Sequence, residues 1–260
     1  MIIDNQIREK IDLSQFTPAT LEELDSKKLL DRFDTKFAFK AELLPDILDL
    51  LRDNYYILEI DGKRAFAYET LYFDTADYAL HNAHHNGKLN RYKFRYRLYK
   101  ETGTCFFEVK RKTNKKKTLK SRMKRKKIEE VLGKKIGIFV KEKTGMSAKD
   151  LLPTLWINYS RITFMHKHSD EKLTIDTDLL FRSKYSEKPF DELVIAELKR
   201  PDKYARSEFI DYMNQFGIRK MRISKYCTGN VLTNPDVKYN RFKPKMMFIN
   251  KLCNGTNGLQ

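Results

Sequence analysis

A chain of 260 residues with 41% hydrophobic content can bury a substantial core, and its net charge of +17 calls for an anionic partner: nucleic acid, a membrane surface or a phosphorylated ligand. Its three cysteines are far apart and form no CxxC pair, which argues against a disulfide framework and a zinc site and predicts a reduced, cytoplasmic setting. The N-terminal stretch lacks the apolar run of a signal peptide, and no stretch of 18 apolar residues exists, so neither export nor membrane spanning is expected.

Residues 1–18 read as an irregular arm. In "TPATLEELDSKKLL", Thr20 is a helix cap with acids in the turn behind it. "DRFDTKFAF" alternates polar and apolar residues, as a half-buried strand does. "AELLPDILDLLRDN" has helical spacing, with Pro45 tolerable near the first turn. "RAFAYETLYFDT" reads as a strand ending near Asp74, and "ADYALHNAHHNG" as a short helix closed by Gly87. Residues 88–100 and "GTCFFEVKRK" form an antiparallel hairpin turned at Gly103. The basic run that follows has room for another strand, and residues 128–152 read as helices. "LWINYSRITFMH" and "KLTIDTDLLFR" make a second hairpin, and "FDELVIAELKR" a further strand. "RSEFIDYMNQFG" is an amphipathic helix, and Ser224 caps another in "SKYCTGNVLTNP". The tail's Met246, Met247, Phe248 and Ile249 suit a docking helix with a frayed end.

Helices flanking about eight strands, many joined by tight turns, give an α+β class with a mostly antiparallel sheet or barrel. No interdomain linker stands out, so residues 1–260 read as a single domain, with a core over about 30–230, an N-terminal arm and helix over 1–29, and an extension over 231–260. No GxxxxGK[ST] loop occurs, so any phosphate is bound without a P-loop.

The polar faces of the strands repeat one composition. Lys36 shares a face with Asp34; Lys93, Arg95 and Arg97 share another; Glu108 goes with Lys110, and Lys120 with Arg122 and Lys124. Tyr159 shares a face with Arg161, Asp176 with Thr174 and Asp178, and Glu197 with Lys199; Arg222, Ser224 and Lys225 follow. For any one strand, a solvated outer face is the commoner explanation. Many strands offering Arg or Lys with a lone acid favour an inward shared face instead. A closed barrel would gather them into a cationic channel that needs a polyanion, with a divalent metal on the carboxylates.

Eight pieces in order, "RFDTKF", "TLYFDT", "KFRYRLY", "FFEVKRK", "NYSRITF", "LTIDTDL", "VIAELK" and "RISKY", resemble the catalytic domain of the vacuolar transporter chaperone (VTC) polyphosphate polymerases and their bacterial relatives. These belong to the triphosphate tunnel metalloenzymes. The resemblance implies an antiparallel β-tunnel with helices around it. It implies that Arg95, Arg97, Lys110, Arg161 and Lys225 act on the transferred phosphate. Lys36, Arg122, Tyr159, Lys199, Arg222 and Ser224 would bind phosphates, and Glu197 would hold Mn²⁺ or Mg²⁺. The expected reaction transfers the γ-phosphate of ATP to a growing inorganic polyphosphate chain, with ATP and inorganic polyphosphate or pyrophosphate as the expected partners. A tri- or polyphosphatase of the same fold and a non-catalytic polyphosphate-binding module are the alternatives.

Where the wider superfamily opens with Glu-x-Glu-x-Lys, this chain has Arg32, Asp34 and Lys36, which suits the polymerase branch and not the cyclase and thiamine triphosphatase branch. The phosphate-sensing domain and membrane helices of the eukaryotic relatives are not found in this sequence, so membrane coupling would need a partner protein. Residues 110–127 hold 12 Lys or Arg, to be read as a polyphosphate entry surface, a nucleic-acid patch or a solvated loop, nucleic acid being the least favoured of the three. His81 and His85 share a helix face without an accompanying acid, which disfavours a metal; His166 and His168 are expected exposed on a turn, and Asp176 as a salt-bridge partner.

Overall fold

The structure is a computed structural model that describes residues 7, 9–26, 32–115 and 117–254. Strand β1 (Pro18–Ala19) precedes helix α1 (Leu21–Ser26). Thr20 caps α1 reciprocally: its Oγ1 accepts the Glu23 N–H at 3.2 Å, and Glu23 Oε2 accepts the Thr20 N–H at 2.7 Å. Then come β2 (Phe33–Lys40), α2 (Leu44–Leu51), β3 (Tyr55–Leu58), β4 (Ala65–Asp74) and α3 (Ala79–His85). β5 (Arg91–Tyr99), β6 (Thr104–Lys112), β7 (Thr118–Arg125), α4 (Lys134–Thr144), β8 (Leu152–His166) and β9 (Lys172–Arg182) follow. The chain continues through β10 (Glu187–Phe190), β11 (Leu193–Arg200), α5 (Glu208–Gln215), α6 (Lys225–Thr233) and α7 (Lys243–Asn254). The start of the N-terminal arm and the tail beyond α7, on which the expectation of a frayed end falls, lie outside the described residues.

All eleven strands join one sheet, whose main path of eight runs β2-β11-β9-β8-β4-β5-β6-β7. Every neighbour on that path is antiparallel. The path does not close by hydrogen bonds, because β2 and β7 are its free ends. The sheet curls instead. Consecutive residues at the start of α6 touch strands three apart on the path: Ser224 Oγ accepts a hydrogen bond from Lys93 on β5, and Lys225 pairs with Asp176 on β9. Within 128–152 only α4 is α-helical, with a single 3-10 turn at Ala148–Asp150, so the helical expectation there was too broad.

Period-two alternation sends apolar residues outward, under helices. Phe37, Phe39, Ile162, Phe164, Ile175 and Ala196 pack beneath α2 and α5. Leu71, Phe94, Tyr96, Phe107 and Val109 pack beneath α4. The inner face is not polar throughout. At one end Ala38, Leu155, Ile157, Leu179 and Phe181 meet Tyr226 and Cys227 of α6 and Ile249 of α7, which close that end. A Cβ placed on Gly229 of α6 would sit 2.6 Å from Phe181 Cδ1 and 2.8 Å from Leu155 Cδ2. Gly229→Ala should therefore destabilise the fold by about 1–3 kcal/mol, read as a fall in Tm by calorimetry. An unchanged Tm would mean that α6 is not seated this closely.

Candidate functional site

The register turns the inner face of β5, β6 and β7 into cross-strand rows. Lys93, Lys110 and Lys120 form one row; Arg95, Glu108 and Arg122 the next; Arg97, Phe106 and Lys124 the third. Nine positions hold seven cations and one acid, an arrangement that like-charge repulsion disfavours unless something answers it. Glu108 answers part of it. It is fully buried, accepts the Arg95 Nε–H at 2.7 Å and pairs with Lys120. Burial pushes its carboxyl up, but Arg95, Arg97 and Lys120 together hold it well below the usual carboxylate range. Arg95 also donates to Tyr72 Oη at 2.8 Å, so both ends of its guanidinium fork are aimed.

Across the inner face, β8 and β9 place Arg161 opposite Asp176. Arg161 grips that carboxylate twice, Nε–Oδ1 at 2.5 Å and Nη2–Oδ2 at 2.8 Å, and Lys225 pairs with the same group. The expected salt-bridge role for Asp176 is met. Burial pushes the Lys225 ammonium down to about 8, helped by Arg161 and Lys36 and opposed by Asp176. A ladder of rings floors this region: Tyr68 stacks on Tyr159 at 5.0 Å, with Arg97 and Arg161 over Tyr68 at 5.4 and 5.1 Å and Lys225 over Tyr159 at 4.9 Å. Tyr159 is buried and its hydroxyl has no partner among the described residues.

The third group lies on β2 and β11, where Lys36 is opposite Glu197 and Asp34 opposite Lys199. Lys36 Nζ is 3.1 Å from Glu197 Oε2, and Lys199 Nζ is 3.8 Å from Oε1. Burial raises the Glu197 carboxyl, but Lys199, Lys36 and Arg161 hold it well below its usual range. Burial and the charge of Glu197 raise Asp34. The three groups act on one another: Arg161 is felt at Glu197, and Lys36 at both Lys225 and Lys93.

The structure thus brings together Lys36, Arg95, Arg97, Lys110, Tyr159, Arg161, Glu197, Lys199 and Lys225, with Ser224 joined through Lys93 at 2.9 Å. Arg122 lies on the same face but is exposed, over the Phe106 ring at 4.7 Å. Arg222 is exposed and lines, with Ser224, His84 and Lys245, a small cavity at the α6 end. Sequence parity put Glu108 and Lys93 on the right face, but their partners depend on register and on α6. Tyr72 gave no separate signal. The histidines are structural: His81 Nε2 lies 2.9 Å from the Lys238 carbonyl, and His85 Nε2 accepts the Arg241 N–H. His166 departs from its expected exposure, being buried 3.2 Å from Glu208 Oε2, because α5 packs over the β8 end; His168 is exposed.

Arg97 and Lys110 differ from their neighbours. Arg95, Arg161, Lys36, Lys199 and Lys225 each have a carboxylate in an ion pair, whereas among the described residues these two have none; Lys93, also without one, donates to Ser224 instead. Repulsion from Arg95, burial and Arg97 push the Lys110 ammonium well down. Charge without a partner on a shared, half-buried face is a site for an anion.

No three His, Cys, Asp or Glu side chains cluster among the described residues. Each of these carboxylates has cation partners, but Glu197 is held less tightly than Glu108 and Asp176, by Lys36 at 3.1 Å and Lys199 at 3.8 Å. Asp34 beside it pairs, among the described residues, only with the exposed Arg32 at 3.1 Å, so Glu197 and Asp34 are the oxygen donors most readily released to a metal. A Mg²⁺-type ion takes one or two carboxylates and completes its shell with water and substrate phosphates, so this pair fits such an ion once a phosphate ligand is present.

The VTC-domain family matches residues 31–233 of the chain. A search of curated proteins gave no match. Among solved structures, a candidate adenylyl cyclase from Hippeastrum with a dominant triphosphatase activity is 13% identical, with a TM-score of 0.51, over 79% of this chain and 98% of that one. A candidate adenylate cyclase from Bacillus halodurans is 13% identical, with a TM-score of 0.44, over 74% of this chain and 92% of that one. At this identity the Hippeastrum match establishes a shared fold, the curled antiparallel tunnel sheet flanked by helices.

Proposed function

The chain belongs to the VTC-domain family, and from that premise we propose that it is a metal-dependent polyphosphate polymerase that moves the γ-phosphate of ATP onto inorganic polyphosphate. The observation that carries this reading is the pair Arg97 and Lys110, cations without carboxylates amid cations that have them. The paired cations are fixed in place; the unpaired ones await an anion.

No histidine occupies an inward strand position; His84 of α3 borders the cavity lined by Ser224 and Arg222, where burial and the charges of Lys93 and Arg91 push its imidazole far down, so no imidazole is suited to act as a base. A terminal phosphate of a growing chain needs none, because it is already anionic near neutral pH. Its oxygen attacks the γ-phosphorus, the new P–O bond forms as the bond to the β-phosphate oxygen breaks, and ADP leaves with the electron pair. Arg95, oriented by Glu108 and Tyr72, and Arg161, oriented by Asp176, present guanidinium forks to the equatorial oxygens. Arg97, Lys110 and Lys225 add charge, and the Tyr159 hydroxyl is free to donate to a phosphate oxygen. Lys36, Lys199, Ser224 and Arg122 extend phosphate contacts along the face. Mn²⁺ or Mg²⁺ held by Glu197 would supply further neutralisation of the triphosphate. No helix among the described residues is long and apolar enough to cross a membrane; we place the reaction in the cytoplasm, where ATP is available.

The test is incubation with ATP, Mn²⁺ and a trace of pyrophosphate, followed by a polyphosphate-stained gel. Ladders with matching ADP are the expected result. Free phosphate without ladders would reassign the site to a triphosphatase, and long-chain binding with no product would make it a binding module.

A further inference from the structure

The rows of the inner face do not stop at the tunnel. β7 is an end strand with one hydrogen-bonded neighbour, yet its inward positions continue each row: Lys120 beside Lys110, Arg122 beside Glu108, Lys124 beside Phe106. All three are exposed, as are Lys126 and Lys127 just beyond the strand. Lys120 turns back to Glu108 and Arg125 pairs with Glu129 at 2.9 Å, but Arg122, Lys124 and Lys126 have no carboxylate among the described residues. The buried cations and the exposed ones therefore form one cationic surface, continuous along Lys93, Lys110 and Lys120 and broken by Glu108 and Phe106 in the other two rows, leading from the site to the open sheet edge. A patch for an unrelated anion would have no reason to share register with the inner rows.

We infer that the inner-facing row of β7, continued by Lys126, is a guide for polyphosphate chains too long for the inner face, holding their distal phosphates while the chain end sits among Arg95, Arg97 and Lys110. This rests on the phosphate reading of the inner face. The surface suits a linear inorganic polyanion in particular. Its side chains are Lys and Arg at two-residue spacing, giving ~7 Å steps of charge along the strand. Residues 120–127 hold no Phe, Tyr or Trp, and Phe106 on the neighbouring strand has Arg122 over its ring at 4.7 Å, so that ring is already covered rather than open for stacking a base.

The consequence is a chain-length effect, read as binding. Tripolyphosphate should bind wild type and the Lys124→Gln/Lys126→Gln double variant equally. A chain of about 60 phosphates should bind the variant about tenfold more weakly, with its log K versus log salt slope flattened by about 1.4, at ~0.7 for each phosphate of a single strand that the variant no longer neutralises. An equal slope and affinity for long chains in the variant, with tripolyphosphate still bound, would overturn the guide alone. Failure of wild type to bind tripolyphosphate would overturn the inner-face reading beneath it. If a single-stranded RNA of matched charge bound wild type as tightly as polyphosphate and lost the same affinity in the variant, β7 would be a nucleic-acid surface and the inference wrong.

Discussion

Arg97→Ala should lower kcat about 10²–10³-fold, the usual cost of removing one aimed donor from a developing oxyanion, while leaving the Tm at or above that of the wild type. The two halves of this result come from one fact. Arg97 makes no direct ion pair among the described residues; its contacts are the Tyr68 ring, the repulsive field it shares with Arg95 and Lys110, and a through-space attraction to Glu108, which keeps Arg95 and Lys120 as direct partners when Arg97 is removed. Taking it away relieves the repulsion among Arg95, Arg97 and Lys110, which offsets the weaker hold on Glu108. Lys110→Met should behave alike, since repulsion from Arg95 is the largest influence on that ammonium. Arg95→Ala is the contrast. It leaves Glu108, fully buried, with Lys120 as its one direct ion-pair partner among the described residues, and a buried charge that loses a partner typically costs about 3–5 kcal/mol. Activity and fold should then fail together. The comparison is read by steady-state kinetics beside thermal denaturation, with and without tripolyphosphate. Tripolyphosphate should raise the Tm of wild type more than that of Arg97→Ala, because stabilisation follows affinity. Wild-type kcat in Arg97→Ala, or a Tm loss as large as that of Arg95→Ala, would remove Arg97 from the site.

Such a trade of stability for function also explains what the sequence could convey. The alternation in "RYKFRYRLYK" places Arg95 and Arg97 on one face whatever the tertiary fold, because parity is a property of the strand. The apolar partners Phe94 and Tyr96 then had to be buried, and they are. Strands as short as β3 and β10 gave no such signal: Tyr55–Leu58 is apolar throughout, and Glu187–Phe190 pairs only along β9. Closure of the sheet was not legible either. Whether β2 meets β7 depends on twist accumulated over eight strands, which no local pattern encodes. The same limit applied to the site. Lys93 was visible as an inward cation, but its partner Ser224 is 131 residues away and arrives only when α6 caps the end. His166 erred in the opposite direction: a turn position suggests exposure, and α5, distant in sequence, covers it.

The second large effect is expected at Asp176, on the opposite wall. Asp176→Asn should destabilise the protein by about 3–5 kcal/mol at neutral pH, since the fully buried carboxylate answers both Arg161 and Lys225. The pH dependence distinguishes this from a packing defect. Burial raises the Asp176 carboxyl, but Arg161 and Lys225 hold it far below its usual value. Its contribution is therefore complete above the ordinary carboxylate pKa of ~3.9 and is lost as pH falls toward the lower folded value, so the two proteins should converge in stability only in strong acid. Lys225 runs the other way. With its ammonium pushed down to about 8, the folded chain gives up that proton before the unfolded one does, and wild-type stability gains from this group as pH rises from there toward the ordinary ~10.4. Phosphate needs the charged form, so triphosphate affinity should decline as pH passes about 8 in wild type. Asp176 is the group that props the value up, and its replacement by Asn should move this decline to lower pH. Titration calorimetry with tripolyphosphate across the neutral to alkaline range reads the shift directly. A limb that stays in place in Asp176→Asn would mean that Lys225 is not the group whose charge the ligand requires.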